Sequence, residues 1–455
     1  MNAPKLWLAA FLMVSLCSPG WGSSLHKALE AALQIDPTYQ AARAELASSL
    51  QNLPIARAGL RPTLSLSFSD AKVDGSRTID NPPLAPLTQP LDYRAPAQSL
   101  NLRAPLFNRE AAKKIELAQA QEQYALALLR VRQSELVDRL AKAWLDERLA
   151  DHMLAAMRTQ VQAAQMQSDI AIRRLALGEG TRPEVADAAS ALESARVQVA
   201  EAQSLRDLAT LTLSQMTGQE QRQAAAPIQT PTSLPQFAPS LGQLLAQAES
   251  NNTSLAVRRF ALQAAQAAVE RARSGHYPRL DLVASLTQSS NESLSTVNQS
   301  ATQQSFGLQL NVPLYSGGAV AAGVTQALAD LNRSEAELAA EQQLVVREVT
   351  RLYFIVSNGV SKTAALQTAI DAGRLNLEAA QKGLNSGFAT QMEIAQARRK
   401  LAQARQEWAQ GIHERLLATL RLQLRAGEDA ASAIQRLDSA LITSTFAAPA
   451  NAAWP

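Results

Sequence analysis

The sequence predicts a mainly α-helical protein: very long coiled-coil hairpins carrying four short β-strands. Three observations predict it. An apolar residue recurs every seventh position from Leu129 through Leu136, Ala143, Ala150, Met157 and Ala164 to Ala171. A second comb holds Leu140, Leu154, Val161 and Leu175, interrupted by Gln133, Glu147 and Ser168, and no Pro or Gly breaks the run before Gly178. Two-residue alternation appears only in brief stretches, Leu64–Ser69, Ser99–Ala104 and Phe306–Val312. A sustained seven-residue repeat means a helix that supercoils against neighbours, and strict alternation means a strand with unlike faces.

Composition agrees. Of 455 residues only 4% are aromatic and 18% charged, with 43 basic against 40 acidic side chains. Ala and Gln dominate, which suits closely packed long helices. The near-balance of charge, without a basic run, gives no reason to expect nucleic acid as a partner. Residues 1–22 read as a secretory signal peptide. Lys5 precedes the apolar run Leu6–Leu16, and Gly20 and Gly22 sit where a signal peptidase reads small residues. That run is shorter than the ~20 residues a membrane span needs. Cys17, the single cysteine, lies inside the expected signal peptide, behind a Leu16 too bulky for a lipidation site. The mature chain is then expected to be exported and free of thiols.

Leu25–Gly59 reads as helix, restarted at Asp36-Pro37 by an N-cap and a proline at the first helical position. Pro62 ends it, and the strand Leu64–Ser69 follows. A polar, proline-rich loop is expected through Pro96, then the strand Ser99–Ala104, with Pro105 marking the exit into the long helix. From near Phe107 that helix is about 70 residues, or roughly 105 Å.

The chain then repeats itself. Leu25, Arg57, Gly59, Pro62, Leu64 and Leu66 match Leu241, Arg273, Gly275, Pro278, Leu280 and Leu282, each 216 residues on. Ala104–Phe107 matches Val312–Tyr315 around Pro105 and Pro313. Gly178, Thr181, Glu184 and Gly218 match Gly387, Thr390, Glu393 and Gly427. The returning combs agree down to their polar exceptions, Arg206 with Arg415. The expected organisation is a first repeat, 23–218, read as helix–strand–strand–helix–turn–helix. A linker, 219–236, a second repeat, 237–427, and a C-terminal tail, 428–455, follow, with strands near 62–105 and 278–313.

Alternation places Leu64, Leu66 and Phe68 opposite Ser65, Ser67 and Ser69, and Leu308 and Leu310 opposite Gln309 and Asn311. Two readings stay open on this pattern alone. A small sheet packs its leucines on the helices, or a closed barrel turns them to lipid and its polar side to a lumen. Four strands cannot enclose a lumen, whereas three chains supply twelve. A rod of ~100 Å also cannot bury its comb inside one compact domain, so it needs neighbouring chains.

The tandem repeat, the stretch Arg273–Leu282 (RSGHYPRLDL), the stretch Asn311–Gly318 (NVPLYSGG) and the turns Leu177–Thr181 and Ser386–Thr390 resemble the TolC family of outer-membrane efflux and type I secretion channels. The resemblance implies a homotrimer with one twelve-stranded barrel in outer-membrane lipid and a helical tunnel through the periplasm. It implies passive export, with a periplasmic adaptor (membrane fusion protein) and an inner-membrane ABC or proton-driven pump as partners, and no cofactor. It places Glu184, Glu393, Gln396 and Arg182 at the pore entrance, with a threefold ring of Glu393 near the axis. Positions 384 and 389, where the family keeps gate residues, hold Leu384 and Ala389, so Arg182 or Arg174 is expected to replace those links. Leu175, Leu177, Gly178, Ser386 and Gly387 are expected to dock the adaptor, and Pro62, Pro105, Pro278 and Pro313 to mark the barrel–helix junction.

Other signals point nowhere catalytic. His26, His152, His276 and His413 are scattered without a second ligand at metal spacing, and no nucleophile has a base beside it. Ser316-Gly317-Gly318 lacks a phosphate-loop lysine, and Trp144 and Trp408 fall on helix combs, as core residues do. The sequence therefore predicts an exit duct rather than an enzyme. The competing reading is a periplasmic coiled-coil scaffold or adaptor without a pore.

Overall fold

The computed structural model describes residues 25–79, 86–218, 239–291 and 299–445. The expected leader, the whole of the expected linker and the end of the tail lie outside the described residues.

The chain begins with α1 (Leu25–Ile35), α2 (Pro37–Leu50) and α3 (Asn52–Ala58). Strands β1 (Thr63–Ile79) and β2 (Leu87–Asn108) lead into α4 (Arg109–Ala176), which a tight turn connects to α5 (Arg182–Thr217). The same order then recurs as α6 (Leu241–Asn251), α7 (Thr253–Arg273), β3 (Arg279–Asn291), β4 (Gln299–Asn311), α8 (Ala319–Asn385) and α9 (Gln391–Arg425). A last helix, α10 (Ala430–Thr445), lies beyond Gly427, where the sequence suggests a weaker helix leading into a tail.

The long helices match expectation in place and length. Helix α4 has 68 residues and α8 has 67, each about 100 Å at ~1.5 Å per residue. Asn108 caps α4 by accepting the Ala111 amide at 3.0 Å. Comb residues Leu136, Leu140, Ala143 and Leu154 are buried, and so are two of the polar interruptions, Glu147 and Ser168. The comb is thus a geometric seam, kept even where its residues are polar. Second-half positions Ile394, Leu401, Trp408, Arg415 and Leu422 are all buried.

Helix α4 runs antiparallel to α5 over its second half, with Arg206 Nε bonded to Asp151 Oδ1 at 3.1 Å. Helix α8 pairs with α9 in the same way, and Lys362 meets Glu414 at 3.2 Å. Helix α9 also crosses to α4 through Arg421–Asp138 at 2.6 Å and His413–Asp146 at 2.7 Å. One apolar core gathers Leu25, Leu136, Trp144, Leu213, Trp408, Leu420 and Ile434. A second gathers Leu244, Leu255, Val349, Val356 and Leu422. Among the described residues no helix is long and apolar enough to cross a membrane.

The strands form one antiparallel sheet in the order β1-β2-β3-β4. They are longer than alternation suggests, with 17 and 22 residues in β1 and β2. The stretch expected as a loop through Pro96 is mostly strand, because Leu87–Pro96 pairs with Asp70–Ile79. Pro90 and Pro96 fit there because β2 pairs with β3 only from Ala97 onward, so both prolines lie on a free edge. Nor does Pro105 end its strand. A bulge between Pro105 and Phe107 absorbs the missing donor, and β2 continues until Asn108 faces Arg279.

Candidate functional site: an apolar belt, a polar channel face and twin tips

The sheet sorts its side chains by row. On one face the register aligns Leu64–Leu102–Ala284–Phe306 and Leu66–Leu100–Leu286–Gln304, with Leu282–Leu308 and Leu280–Leu310 below. Leu64, Leu66 and Phe68 are 66%, 60% and 71% exposed, and Phe306, Leu308 and Leu310 are 78%, 65% and 65% exposed. Among the described residues no helix covers this face, which removes the reading of a small sheet packed on the helices. The belt ends at the row Phe68–Gln98–Gln288–Thr302, where Gln98 donates to Gln288 at 2.8 Å. From the Leu280 row to that row is about 27 Å along a strand, or ~20 Å once tilted as barrel strands are, close to the apolar band of outer-membrane barrels.

The opposite face is hydroxylic. Ser67 and Ser99 share a hydrogen bond of 2.7 Å, as do Ser285 and Ser305. A lipid-facing belt backed by hydroxyls and amides is the cross-section of a water-filled channel wall.

The junction with the helices is a charged knot that sequence reasoning missed. Pro62 and Pro278 stand just before β1 and β3, Pro105 lies at the bulge, and Pro313 follows β4. Around them Arg103 holds Asp281, Arg279 pairs with Glu110, and the Arg109 guanidinium stacks 4.1 Å over the Tyr277 ring. These partners come from opposite halves of the chain, so no local pattern announces them.

At the far end, about 100 Å of helix away, lie the two tips. Gly178 and Gly387 have φ of 75° and 76°, in the left-handed region that ends a helix cheaply only at glycine. Each tip then restarts with a capping box. Glu184 accepts the Thr181 amide at 3.0 Å, and Glu393 accepts the Thr390 amide at 2.8 Å. Both acids therefore have a structural task at a helix N-terminus. Their side chains remain exposed, as do those of Arg182 and Gln396. Arg174 donates to the Glu179 carbonyl of its own turn at 3.4 Å.

The turns differ in one compensated detail. A Cβ on Gly180 would come within 3.0 Å of the Leu175 backbone and 3.2 Å of the Arg174 side chain, whereas Ala389 fits because Gly383 lies opposite it. Leu177 is 73% exposed, Phe388 91% and Met392 68%. Leu175 is half-buried, and Gly178, Ser386 and Gly387 are exposed. Phe388, next to Gly387, and Met392 lie outside the residues expected to dock the adaptor.

Burial perturbs several groups between belt and tips. It works to raise the Asp146 carboxyl, and the bonds from His413 and Lys142 outweigh it, leaving the group below its ordinary value. Burial lowers His152, helped by the nearby Arg405 charge. The matched arginines of the combs have parted. Arg206 finds Asp151, while Arg415 lies buried over Gly359, donates to the Thr363 hydroxyl at 3.4 Å, and is lowered by burial. Among the described residues no cluster of His, Cys, Asp or Glu is arranged to hold a metal.

A belt for lipid, a polar inner wall and a helical extension define an outer-membrane conduit. The chain belongs to the outer membrane efflux protein family, whose model matches residues 28–219 and 244–428. It is 32% identical to the proteases secretion protein PrtF of Dickeya chrysanthemi over 92% of both chains. It is 27% identical to the alkaline protease secretion protein AprF of Pseudomonas aeruginosa, covering 94% of this chain and 89% of that one. The fold matches the CmeC outer membrane channel of Campylobacter jejuni with a TM-score of 0.75 at 15% identity, over 97% and 98% of the two chains. The protein is an outer-membrane exit channel of the type I secretion or efflux kind, with a periplasmic helical tunnel. Such a channel works with a periplasmic adaptor and an inner-membrane pump.

Proposed function

We propose that three copies of this chain close a twelve-stranded barrel and pass secreted polypeptides outward, in a type I system whose inner-membrane partner is an ABC pump. The uncovered apolar belt carries the assembly, because four strands cannot seal their outer edges alone. The protease secretion relatives support polypeptide cargo over small molecules. In this reading Glu393, flanked by Glu184, Arg182 and the neutral Gln396, rings the entrance and favours cations. Leu175, Leu177, Gly178, Ser386 and Gly387, joined by the exposed Phe388, receive the adaptor hairpin. The same proposal keeps residues 1–22 as a cleaved leader and 219–236 as the linker between two duplicated halves, 23–218 and 237–427.

The test is electrical and genetic. Purified protein added to planar bilayers is expected to conduct and to run as heat-sensitive trimers from outer-membrane fractions. Glu393→Gln keeps an acceptor for the Thr390 amide while removing the charge. It should therefore shift the reversal potential toward zero without loosening the tip. A conducting channel with unchanged selectivity overturns the Glu393 ring; a soluble, non-conducting product overturns the duct. Restored protease secretion in a strain lacking its own exit channel identifies the cargo class.

A further inference from the structure

The β1–β2 hairpin does not stop where the apolar belt stops. Ten residue pairs, from Asp70 with Pro96 to Ile79 with Leu87, continue past the last β2–β3 pair. They form a two-stranded ribbon roughly 30 Å long at ~3.3 Å per residue. Its polarity is inverted relative to the belt below. The face continuing Leu64, Leu66 and Phe68 now carries Asp70, Lys72, Asp74, Asp92 and Arg94. These are laced diagonally by Lys72–Asp92 at 3.3 Å and Arg94–Asp70 at 3.2 Å. The face continuing the hydroxylic wall now carries Ala71, Val73, Gly75, Leu91, Tyr93 and Ala95, with Arg77 nearer the ribbon's tip.

A charged ladder cannot lie in hydrocarbon, so the ribbon stands in water above the membrane. An isolated two-stranded ribbon is marginal there, and this one turns an apolar face toward the channel axis. Val73, Leu91, Tyr93 and Ala95 are half-buried while Asp92, Arg94 and Pro96 are exposed. The ribbon is continuous with the barrel wall, so threefold closure turns three such faces toward the same axis. Ala71, Gly75 and Ala95 leave room for close approach, and no atom lies within 4 Å of a Cβ built on Gly75.

We infer that the inner faces of three ribbons pack on one another above the barrel mouth, through Val73, Leu91 and Tyr93, and narrow the exit from outside. The partner of each ribbon is the same ribbon of another copy. This rests on the trimeric duct proposed above.

The test uses the full chain with Cys17, its single native cysteine, lying in the leader. Val73→Cys and Leu91→Cys in outer membranes, mildly oxidised, are expected to give crosslinked dimers on non-reducing gels, whereas Lys72→Cys gives none. Leu91→Asp places repelling charges on the shared face and should raise single-channel conductance roughly twofold or more. Conducting trimers in which neither Val73→Cys nor Leu91→Cys crosslinks, or in which only Lys72→Cys does, overturn the inference and leave the duct standing. A fully conducting Leu91→Asp channel with unchanged conductance does the same. A product that forms no conducting trimer overturns duct and ribbon contact together.

Discussion

The Asp281 carboxylate on β3 is gripped by Arg103 on β2, 178 residues away, with Nε to Oδ2 at 3.0 Å. Asp281 is 4% exposed, and the Arg103 side chain is 61% exposed. The pair ties the first half of the chain to the second where the sheet meets the helices.

Removing Arg103 strands a buried charge. Arg103→Leu is expected to cost about 2 kcal/mol, below the 3–5 typical of fully buried pairs because the arginine is partly in water. The measurement is the temperature at which the sheet unfolds in detergent. Arg103→Leu with Asp281→Asn should recover most of the loss; a double variant as unstable as the single one refutes the account.

Asp36 supplies a pH dependence. It caps α2 by accepting the Tyr39 amide at 2.8 Å, and it accepts from Arg139 of α4 at 3.1 and 3.2 Å. Burial pushes its carboxyl upward, but the bonds from Arg139, Thr38 and Tyr39 outweigh it and hold the group below the ordinary 3.8. A depressed carboxylate contributes fully above its unfolded value and loses that contribution as pH falls through its folded one. Asp36→Asn should keep the cap and lose about 1 kcal/mol at pH 7. In urea titrations the gap to wild type should close as pH drops below about 4; a gap that widens in acid contradicts the assignment.

Two glycines with similar φ should respond unequally. Gly387 has φ of 76° and open space around it, so Gly387→Ala costs only backbone strain, about 1 kcal/mol. Gly427 has φ of 87°, and an added Cβ would fall 2.5 Å from the Asn251 backbone. Gly427→Ala adds a clash costing about 1–3 kcal/mol more and should loosen the α6–α9 contact. Hydrogen exchange at residues 248–256 reads this directly; equal effects of both substitutions are the contrary outcome.

Arg415 is buried over Gly359 with a hydroxyl for a partner. Replacing such a cation by an apolar side chain of similar volume is commonly neutral or stabilising. Arg415→Met should therefore raise the melting temperature or leave it unchanged. A drop equivalent to ~3 kcal/mol would show that Arg415 meets a carboxylate in the assembled duct.

What the sequence determined by itself was periodicity and its consequences. The seven-residue comb dictated α4 to within a few residues, because a helix that long has no other way to bury a seam. Alternation dictated which strand residues share a face, and the matched Gly178 and Gly387 marked the two turns. Tertiary structure alone decided which strand face lay uncovered, since Leu64 and Leu308 read the same whether packed or bare. It also decided that Pro90 and Pro96 stay in a strand, through the absence of a β3 neighbour at that height. The knot of Arg103, Arg109, Glu110, Tyr277, Arg279 and Asp281 was likewise its decision. Each depends on residues brought together from distant parts of the chain, and charge pairing across such distances leaves no period to read.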